Sequence, residues 1–535
     1  MKRSKKIVWI MGITIPLIVF AVGCSKFLDR KPLTATLDDL HQGSLEGQVL
    51  GMYTILRTYA GFSTLPWIDF HSIRDDDAQK GSDANDGREV ITEFETFQYT
   101  KDDWAPNTYW NDHYAMINNA NAAIAEAKAN NVSDEPSLRN VGEASFFLAY
   151  SYFELVKTYG EVPLFKEPIL SPSDGIKDKS PIKDIYEFID SNLAVAVKYL
   201  PLNASAYGTG YDGRLTSGAA NTLWAQSYLF RPIDLSPDKW NKVKDLCTAV
   251  IESNQYKLAD NFSNIWRDGV DGAGKNTRES IWEMQANVGE KGQSNSAVDN
   301  GSGWGTCQQV RQNGASNDWN LGWGWNTPTQ NLVDAWPDDD PRKKQTILYS
   351  GESDGGTALG GFGATLPAYT NPDGTGGLAQ KYWNKKLYTG NDPAMRSLTG
   401  FINNNGAAGW INHRILRYAD VYLMRAEALN ELGDGPGAAA DLEVIRNRAS
   451  GGLGPNRDIV KPIPYVSHDQ MLTAIKNERR WEFALEGYRF YDLVRWGDAD
   501  NVLSGLGYTH RCRYYPIPQK AIDLTGNVLK QNPEW

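Results

Sequence analysis

The sequence predicts a mainly α protein: a tetratricopeptide-like helical scaffold carrying a large irregular, aromatic-rich loop region. Three observations point there. Apolar and small residues recur at helical spacing over about 36–253 and again over 411–535. Capping hydroxyls, prolines and glycines punctuate those stretches where helices begin and end. Between about 254 and 410 the texture changes to Gly, Asn, Asp and Trp, and helical periodicity fades.

The first residues read as an address. Lys2, Arg3, Lys5 and Lys6 form a basic head, and Ile7 to Val22 is an apolar run interrupted by Gly12, Thr14 and Pro16. A membrane-spanning helix needs about 20 apolar residues, so this shorter run with an internal proline fits an export signal. It ends at Ala21-Val-Gly-Cys24, which resembles the lipobox of bacterial lipoproteins, with Ala21 where leucine is more usual. The expected product is a signal peptide over 1–23 and a mature chain over 24–535 that is lipidated on Cys24. Acyl chains contribute about 0.8 kcal/mol per buried CH₂, which anchors a chain without a transmembrane helix.

Within the first scaffold segment, Asn111 to Asn130 places Tyr114, Ile117, Ala120 and Ile124 on one face. Val141 to Tyr159 repeats the pattern with Phe147, Tyr150 and Leu155, and stops at Gly160 before Pro163. Ser180-Pro181 reads as a capped helix start with proline in the first turn. Thr216 opens an alanine-rich helix over Ser217 to Phe230 that Pro232 closes. In the last third, Leu416, Ala419, Leu423, Ala426 and Leu429 line one helix, ending at Gly433. Pro436 begins the next, with Ala439, Leu442, Ile445 and Ala449. Two short helices joined by a Gly/Pro turn, with alanines where they touch, form an αα-hairpin of the tetratricopeptide kind. Ser467 to Gln470 matches a capping box and starts a third helix reaching about Leu485.

Composition removes several function classes. The net charge of −11 argues against nucleic acid, whose phosphates attract basic surfaces. Mean hydropathy is −0.48, and no later apolar run has spanning length. Cys247, Cys307 and Cys512 are odd in number and include no C-x-x-C, so neither a disulfide framework nor a zinc site is written here. The six histidines lack metal-ligand spacing, and neither H-E-x-x-H nor G-x-S-x-G occurs. Gly208-Thr-Gly-Tyr-Asp-Gly213 matches G-x-G-x-x-G, but without a preceding strand it reads as a loop, not a dinucleotide site.

Six stretches carry a family resemblance: Glu143 to Gly160 with Val162-Pro-Leu164; Gly213 to Asn221; Arg417 to Asn430; Ile445 to Ala449; Glu478 to Glu482 through Arg489 to Gly497; and Tyr515-Pro-Ile-Pro518 with Gln531-Asn-Pro533. In order and spacing they resemble the SusD/RagB-like family, outer-membrane nutrient-binding lipoproteins of Bacteroidetes. The resemblance implies a helical scaffold, no catalysis and no cofactor. It also implies outward-facing placement on the outer membrane and a SusC-like TonB-dependent transporter as partner. The expected ligand is an oligo- or polysaccharide, with peptide as the alternative and a surface glycosidase third.

Tryptophan is then the candidate binding residue. The chain has 18 Trp and 26 Tyr, heavy for a protein with 22% charged residues. A flat aromatic can cover the C–H face of a pyranose while polar neighbours bond its hydroxyls. Trp304, Trp319, Trp323 and Trp325 lie in the loop region, with Arg311, Asn317, Asp318 and Asn320 among them. Tryptophans beside glycine, as Trp304, Trp323 and Trp325 are, have no local cover, and with Trp319 these four lead. Trp336 is assigned to a structural element, and Trp224, Trp240, Trp266, Trp282, Trp481 and Trp496 to the core. Trp67 and Trp104 flank the acidic run Asp75-Asp76-Asp77 and rank second. That run, with Asp83, Asn85 and Asp86, is one residue short of a calcium-loop pattern. It reads as a solvated loop, or as sugar-gripping through Asp76, with structural calcium a minor alternative. Glu478, Arg479, Arg480, Glu482, Arg489, Asp492 and Arg495, with Asp420 and Glu427, read as ion pairs locking helices together.

Overall fold

A computed structural model describes residues 44–57, 67–82, 92–266, 274–286, 303–312, 318–370, 376–391 and 411–535. The signal segment and Cys24 lie outside these residues, as do Asn317, Asp83, Asn85 and Asp86. In chain order the elements begin with α1 (Leu45–Arg57), β1 (Ala78–Gly81), α2 (Trp104–Ala129), α3 (Glu135–Tyr159), α4 (Ile182–Tyr199), α5 (Ser217–Phe230) and α6 (Lys239–Glu252). The middle holds β2 (Ser280–Met284), α7 (Gly303–Gln308), β3 (Trp325–Pro328), α8 (Gln330–Ala335), α9 (Pro341–Thr346), β4 (Ile347–Tyr349) and β5 (Tyr382–Asn384). The last part holds β6 (His413–Arg417), α10 (Tyr418–Glu431), α11 (Gly435–Ala449), α12 (His468–Glu482) and α13 (Arg489–Trp496).

Helices dominate, and sequence neighbours pack on one another: α2 on α3, α3 on α4, α5 on α6, and α10 on α11. The caps are those the side chains dictate. The Thr216 hydroxyl accepts the Ala219 N–H at 3.3 Å, Asp434 takes that of Gly437, and Ser467 takes that of Gln470. The α10–α11–α12 core interdigitates Ala419, Leu423, Ala426, Leu442, Ile445, Met471 and Ile475, all fully buried. Alanine at the contacts lets helix axes approach closely.

Three expectations change. Helix α2 begins at Trp104, seven residues before the apolar periodicity begins, with Pro106 in its first turn; the Asp103 carboxylate before it accepts from Thr100 and does not cap the helix. Ser180 does not cap α4; its N–H instead bonds the Val162 carbonyl at 3.0 Å, and Pro181 precedes the helix. Leu416 lies on β6 and not on the following helix, because His413–Arg417 pairs antiparallel with β2. That pair ties the loop region to the helical scaffold: Trp282 of β2 stands edge-on to Phe146 and Tyr150 of α3.

A second feature spans the chain. The buried guanidinium of Arg74 sits in an aromatic cage, 3.8 Å from the Phe490 ring centroid and 4.1 Å from that of Tyr515. It donates to the Cys512 carbonyl at 2.8 Å. Cys247, Cys307 and Cys512 are free thiols, and all three are buried.

Two histidines of this interior are held neutral. Burial, then the Lys157 charge, lowers His71 to about 4, against the pull of Glu154. Burial likewise lowers His113 to about 3. The unfolded chain therefore binds more protons between about pH 4 and 6.5, and these two groups withdraw stability as pH falls through that window. The imidazole resonances of His71 and His113 are expected to stay at neutral-form shifts down to pH 5. Exposed His468, raised by its hydrogen bond to Asp469, is expected to titrate above the usual value in the same spectra. Movement of His71 or His113 near pH 6.5 would contradict the burial argument.

Candidate functional site

The charged set forms ion pairs, and its partners extend well beyond it. Glu482 of α12 faces Arg342 of α9 at 2.9 Å and Arg417 of β6 at 3.0 Å, and it pairs with Arg448 of α11. Arg417 also meets Glu279 at 2.8 Å and Glu486 at 2.7 Å. Glu478 bridges Arg342 and Arg446, each at 2.7 Å. Burial alone would raise Glu482; Arg448, Arg417 and Arg342 hold it well below the usual carboxylate range. Arg342, Arg417, Glu478 and Glu482 are fully buried, so no substrate atom reaches them. Arg479 joins Asp420 at 2.6 Å and Asp492 at 2.9 Å, and Arg495 joins Glu427.

The acidic run belongs to the same system. Asp76 receives Arg489 at 2.8 Å and Arg480 at 3.2 Å, Asp77 pairs with Arg480, and Asp75 accepts the N–H groups of Asp77 and Ala78. These carboxylates are engaged by arginines and backbone rather than standing in a solvated loop. Arg489 and Arg480 offset the burial of Asp76 and keep it below its ordinary value. Among the described residues no three His, Cys, Asp or Glu side chains converge as a metal site.

The tryptophans separate into three places. Trp304 is 4% exposed on α7, stacked on His413 at 3.8 Å and edge-on to Trp67. Trp67 in turn stacks on His71. Cavities beside this cluster measure about 50 and 20 Å³. Small-ligand sites run to about 300–1,000 Å³, so the cluster as placed has no room for a sugar. Trp319, 7% exposed, packs with Trp383, Leu348 and Leu378 in a core of the loop region. Neither the glycines beside Trp304 nor the polar neighbours of Trp319 give these rings local cover, but residues far along the chain supply it. Trp104 is 41% exposed at the start of α2. Asp318 is exposed and Asn320 half-buried on either side of Trp319.

Trp323 and Trp325 sit differently. Trp325 is largely covered on β3, and half-buried Trp323 meets it edge-on at 5.1 Å. β3 pairs antiparallel with β1, opposing Trp325 to Gly81 and Thr327 to Gln79. The next residue, Ser82, gathers polar groups: its N–H donates to the Gly324 carbonyl at 2.6 Å, and its hydroxyl accepts from Arg311 Nη1 at 3.1 Å. Its carbonyl accepts the Gln380 amide at 2.6 Å, and the Gln380 oxygen accepts from Gln79 at 3.0 Å. Beside these, Tyr382 of β5 stands edge-on to Tyr349 at 5.5 Å and donates to Gln330. Around this junction Trp323, Arg311, Gln79, Gln380, Tyr349 and Tyr382 are half-buried, while Ser82 is fully buried. Arg311, Trp323 and Trp325 are brought together there; Gln79, Ser82, Gln380, Tyr349 and Tyr382 are additions no local pattern marked. They come from segments about 300 residues apart in sequence, joined by β1–β3 pairing and by the bonds of Gln380 to Gln79 and to Ser82.

Gly81 holds this junction. Its φ is +77°, and a Cβ there would lie 2.3 Å from the Gly324 carbonyl oxygen. Gly81→Ala combines a left-handed backbone, costing about 1–2 kcal/mol, with overpacking of about 1–3 kcal/mol. A lower Tm is expected, together with altered fluorescence from Trp323 and Trp325. An unchanged Tm would show that the β1–β3 contact can relax.

Together, the packed helix pairs and the aromatic-rich loop region define a helical-repeat scaffold with a large irregular insertion. Residues 278–511 match the SusD family, and residues 47–229 match a family described as starch-binding and associating with the outer membrane. The chain belongs to the SusD/RagB-like family. It is 25% identical to a SusD-like protein of Formosa agariphila over 97% of this chain and 98% of that one. A laminarin-binding SusD-like protein shares its fold with a TM-score of 0.70 and 25% identity, covering 92% of this chain and 99% of that one. A SusD homologue from Bacteroides thetaiotaomicron gives a TM-score of 0.75 at 21% identity over 94% and 99% of the two chains.

Proposed function

We propose that this protein is a glycan-binding lipoprotein of the bacterial surface that captures oligo- or polysaccharide and delivers it to a SusC-like TonB-dependent transporter. The observation that carries the reading is the half-buried Trp323 next to the β1–β3 junction, where half-buried Arg311, Gln79 and Gln380 bond to buried Ser82 and to one another. An apolar platform with a few oriented donors and acceptors is what a sugar ring requires. The laminarin-binding relative, matched over nearly its whole length, supports the same ligand class. Lipidation of Cys24 and outer-membrane placement follow from the lipobox-like segment and from the family's description. Binding without chemistry is the reading, because the densest acid cluster is sealed inside ion pairs. Modest affinity suffices: a millimolar Kd is still about −4 kcal/mol, and a tether raises the effective concentration.

Calorimetry across a panel of neutral oligosaccharides, laminarihexaose among them, tests the ligand class. Saturable binding without release of reducing ends is expected. Hydrolysis of any panel member would overturn the binding-only reading, and peptide binding in place of sugar would change the cargo. Co-purification from detergent-solubilised outer membrane tests the transporter, and palmitate labelling lost in Cys24→Ala tests the anchor.

A further inference from the structure

Away from the Trp323 face, a cavity of about 360 Å³ opens where α3, α5 and α13 meet the segment leading into α6. Its charged wall is of one sign. Lys157, Arg231, Lys239, Arg495 and Arg513 line it, and among the described residues no aspartate or glutamate does. This is notable in a chain of net charge −11.

The five cations are not equivalent. Lys157 pairs with Glu154 at 2.7 Å, Arg231 with Asp190, and Arg495 with Glu427 and Asp492. Those carboxylates stand behind the wall and account for three charges. Lys239 and Arg513 have no carboxylate partner among the described residues. Lys239 is 9% exposed, and its ammonium donates only to the carbonyls of Leu229 at 3.2 Å and Arg231 at 2.9 Å. An ammonium carries three donors, so one is left over. Arg513 donates to the Tyr514 hydroxyl at 3.1 Å, lies 4.6 Å from that ring, and its Nε has no hydrogen-bond partner.

Holding such charges out of water is costly unless an anion meets them. Burial, then repulsion from Arg495, lowers Lys239 to about 8, with the more distant Glu427 and Glu431 opposing only in part. The remaining wall is suited to more than a bare ion. Tyr186, Tyr491 and Tyr514 line the same cavity and offer rings and hydroxyls. Its volume lies within the range of small-ligand sites. We infer that this cavity is a second ligand site that takes an acidic sugar unit, its carboxylate or sulfate ester seated between Lys239 and Arg513. This assignment rests on the glycan-binding reading above and extends it to a charged class of saccharide.

The test titrates the full chain with an oligogalacturonate, a sulfated carrageenan oligosaccharide and neutral laminarihexaose, each at low and high salt. One or both acidic probes are expected to bind, with affinity falling as salt rises. Which of them binds distinguishes carboxylate from sulfate. Lys239→Met and Arg513→Gln are each expected to weaken acidic-probe binding at least tenfold and leave the neutral probe unchanged. Trp323→Ala is expected to do the reverse. Arg513 is half-buried at the end of a short 3₁₀ turn (His510–Arg513), so its variant carries the test if Lys239→Met fails to fold. Failure of both acidic probes to bind overturns this inference while neutral binding can still stand. Acidic binding lost in Trp323→Ala but kept in the pocket variants also overturns it. Inorganic sulfate or phosphate bound as tightly as either oligosaccharide would reduce the cavity to an anion site and overturn the sugar assignment. Pocket-dependent acidic binding with no neutral binding would support the cavity while the Trp323 face falls.

Discussion

Arg417→Met is expected to cost about 3–5 kcal/mol or to prevent folding altogether. The guanidinium of Arg417 is fully buried and serves Glu279, Glu482 and Glu486 at 2.7–3.0 Å. Removing it leaves three interior carboxylates with one cation fewer, and each deprived charge costs more than the pair it belonged to contributed. Lys386 and Arg448 remain nearby and compensate only in part, since they already serve Glu486 and Glu482. Arg417→Lys keeps the charge but loses the fork that reaches several carboxylates at once, so an intermediate loss is expected. Soluble yield and the Tm of the three chains check this. A Tm within a degree of the parent for Arg417→Met would show that the network relaxes around the gap.

Trp323→Ala should abolish measurable glycan binding, a loss of at least tenfold, or about 1.4 kcal/mol, with little change in Tm. The ring is half-buried and its neighbours Trp325 and Gly324 are held by β3, so truncation removes a platform more than a support. Replacing Trp304, Trp319 and Trp325 gives a different result. Each is nearly covered, and removing a buried aromatic costs about 3–5 kcal/mol, so binding lost in those chains would report unfolding. The far-ultraviolet CD signal separates the cases. Intact binding in a folded Trp323→Ala chain would move the site away from this face, with exposed Trp104 the next ring to replace.

What the sequence shows well is what neighbouring residues decide. Thr216 caps α5 and the alanine faces of α10 and α11 meet as their spacing says, because three or four residues suffice to specify each. Ser180 is misread by that same logic, since its N–H answers to Val162 across a turn. β6 looks like the start of a helix because its partner β2 lies more than 130 residues earlier and leaves no local trace. The charged set is legible as ion pairs, yet Glu279, Arg342 and Asp76 are invisible as partners until the chain is folded. The tryptophans show the same limit: the polar neighbours Asp318 and Asn320 of Trp319 say nothing about Trp383, which lies 64 positions later and packs in the same core. Of the four tryptophans ranked together, Trp323 is the one the fold leaves half-buried, and Gln79 and Gln380 reach this junction from segments that no short pattern links.

The cage around Arg74 bears on the timing of folding. Its walls, Phe490 and Tyr515, and its acceptor, the Cys512 carbonyl, are made more than 400 residues after the guanidinium they enclose. Until the ribosome has delivered the last twenty or so residues, that charge has nowhere dry to rest. The N-terminal half is thereby denied a finished interior during synthesis. A premature stop near residue 510 would release a chain without Cys512 and Tyr515, which close the cage.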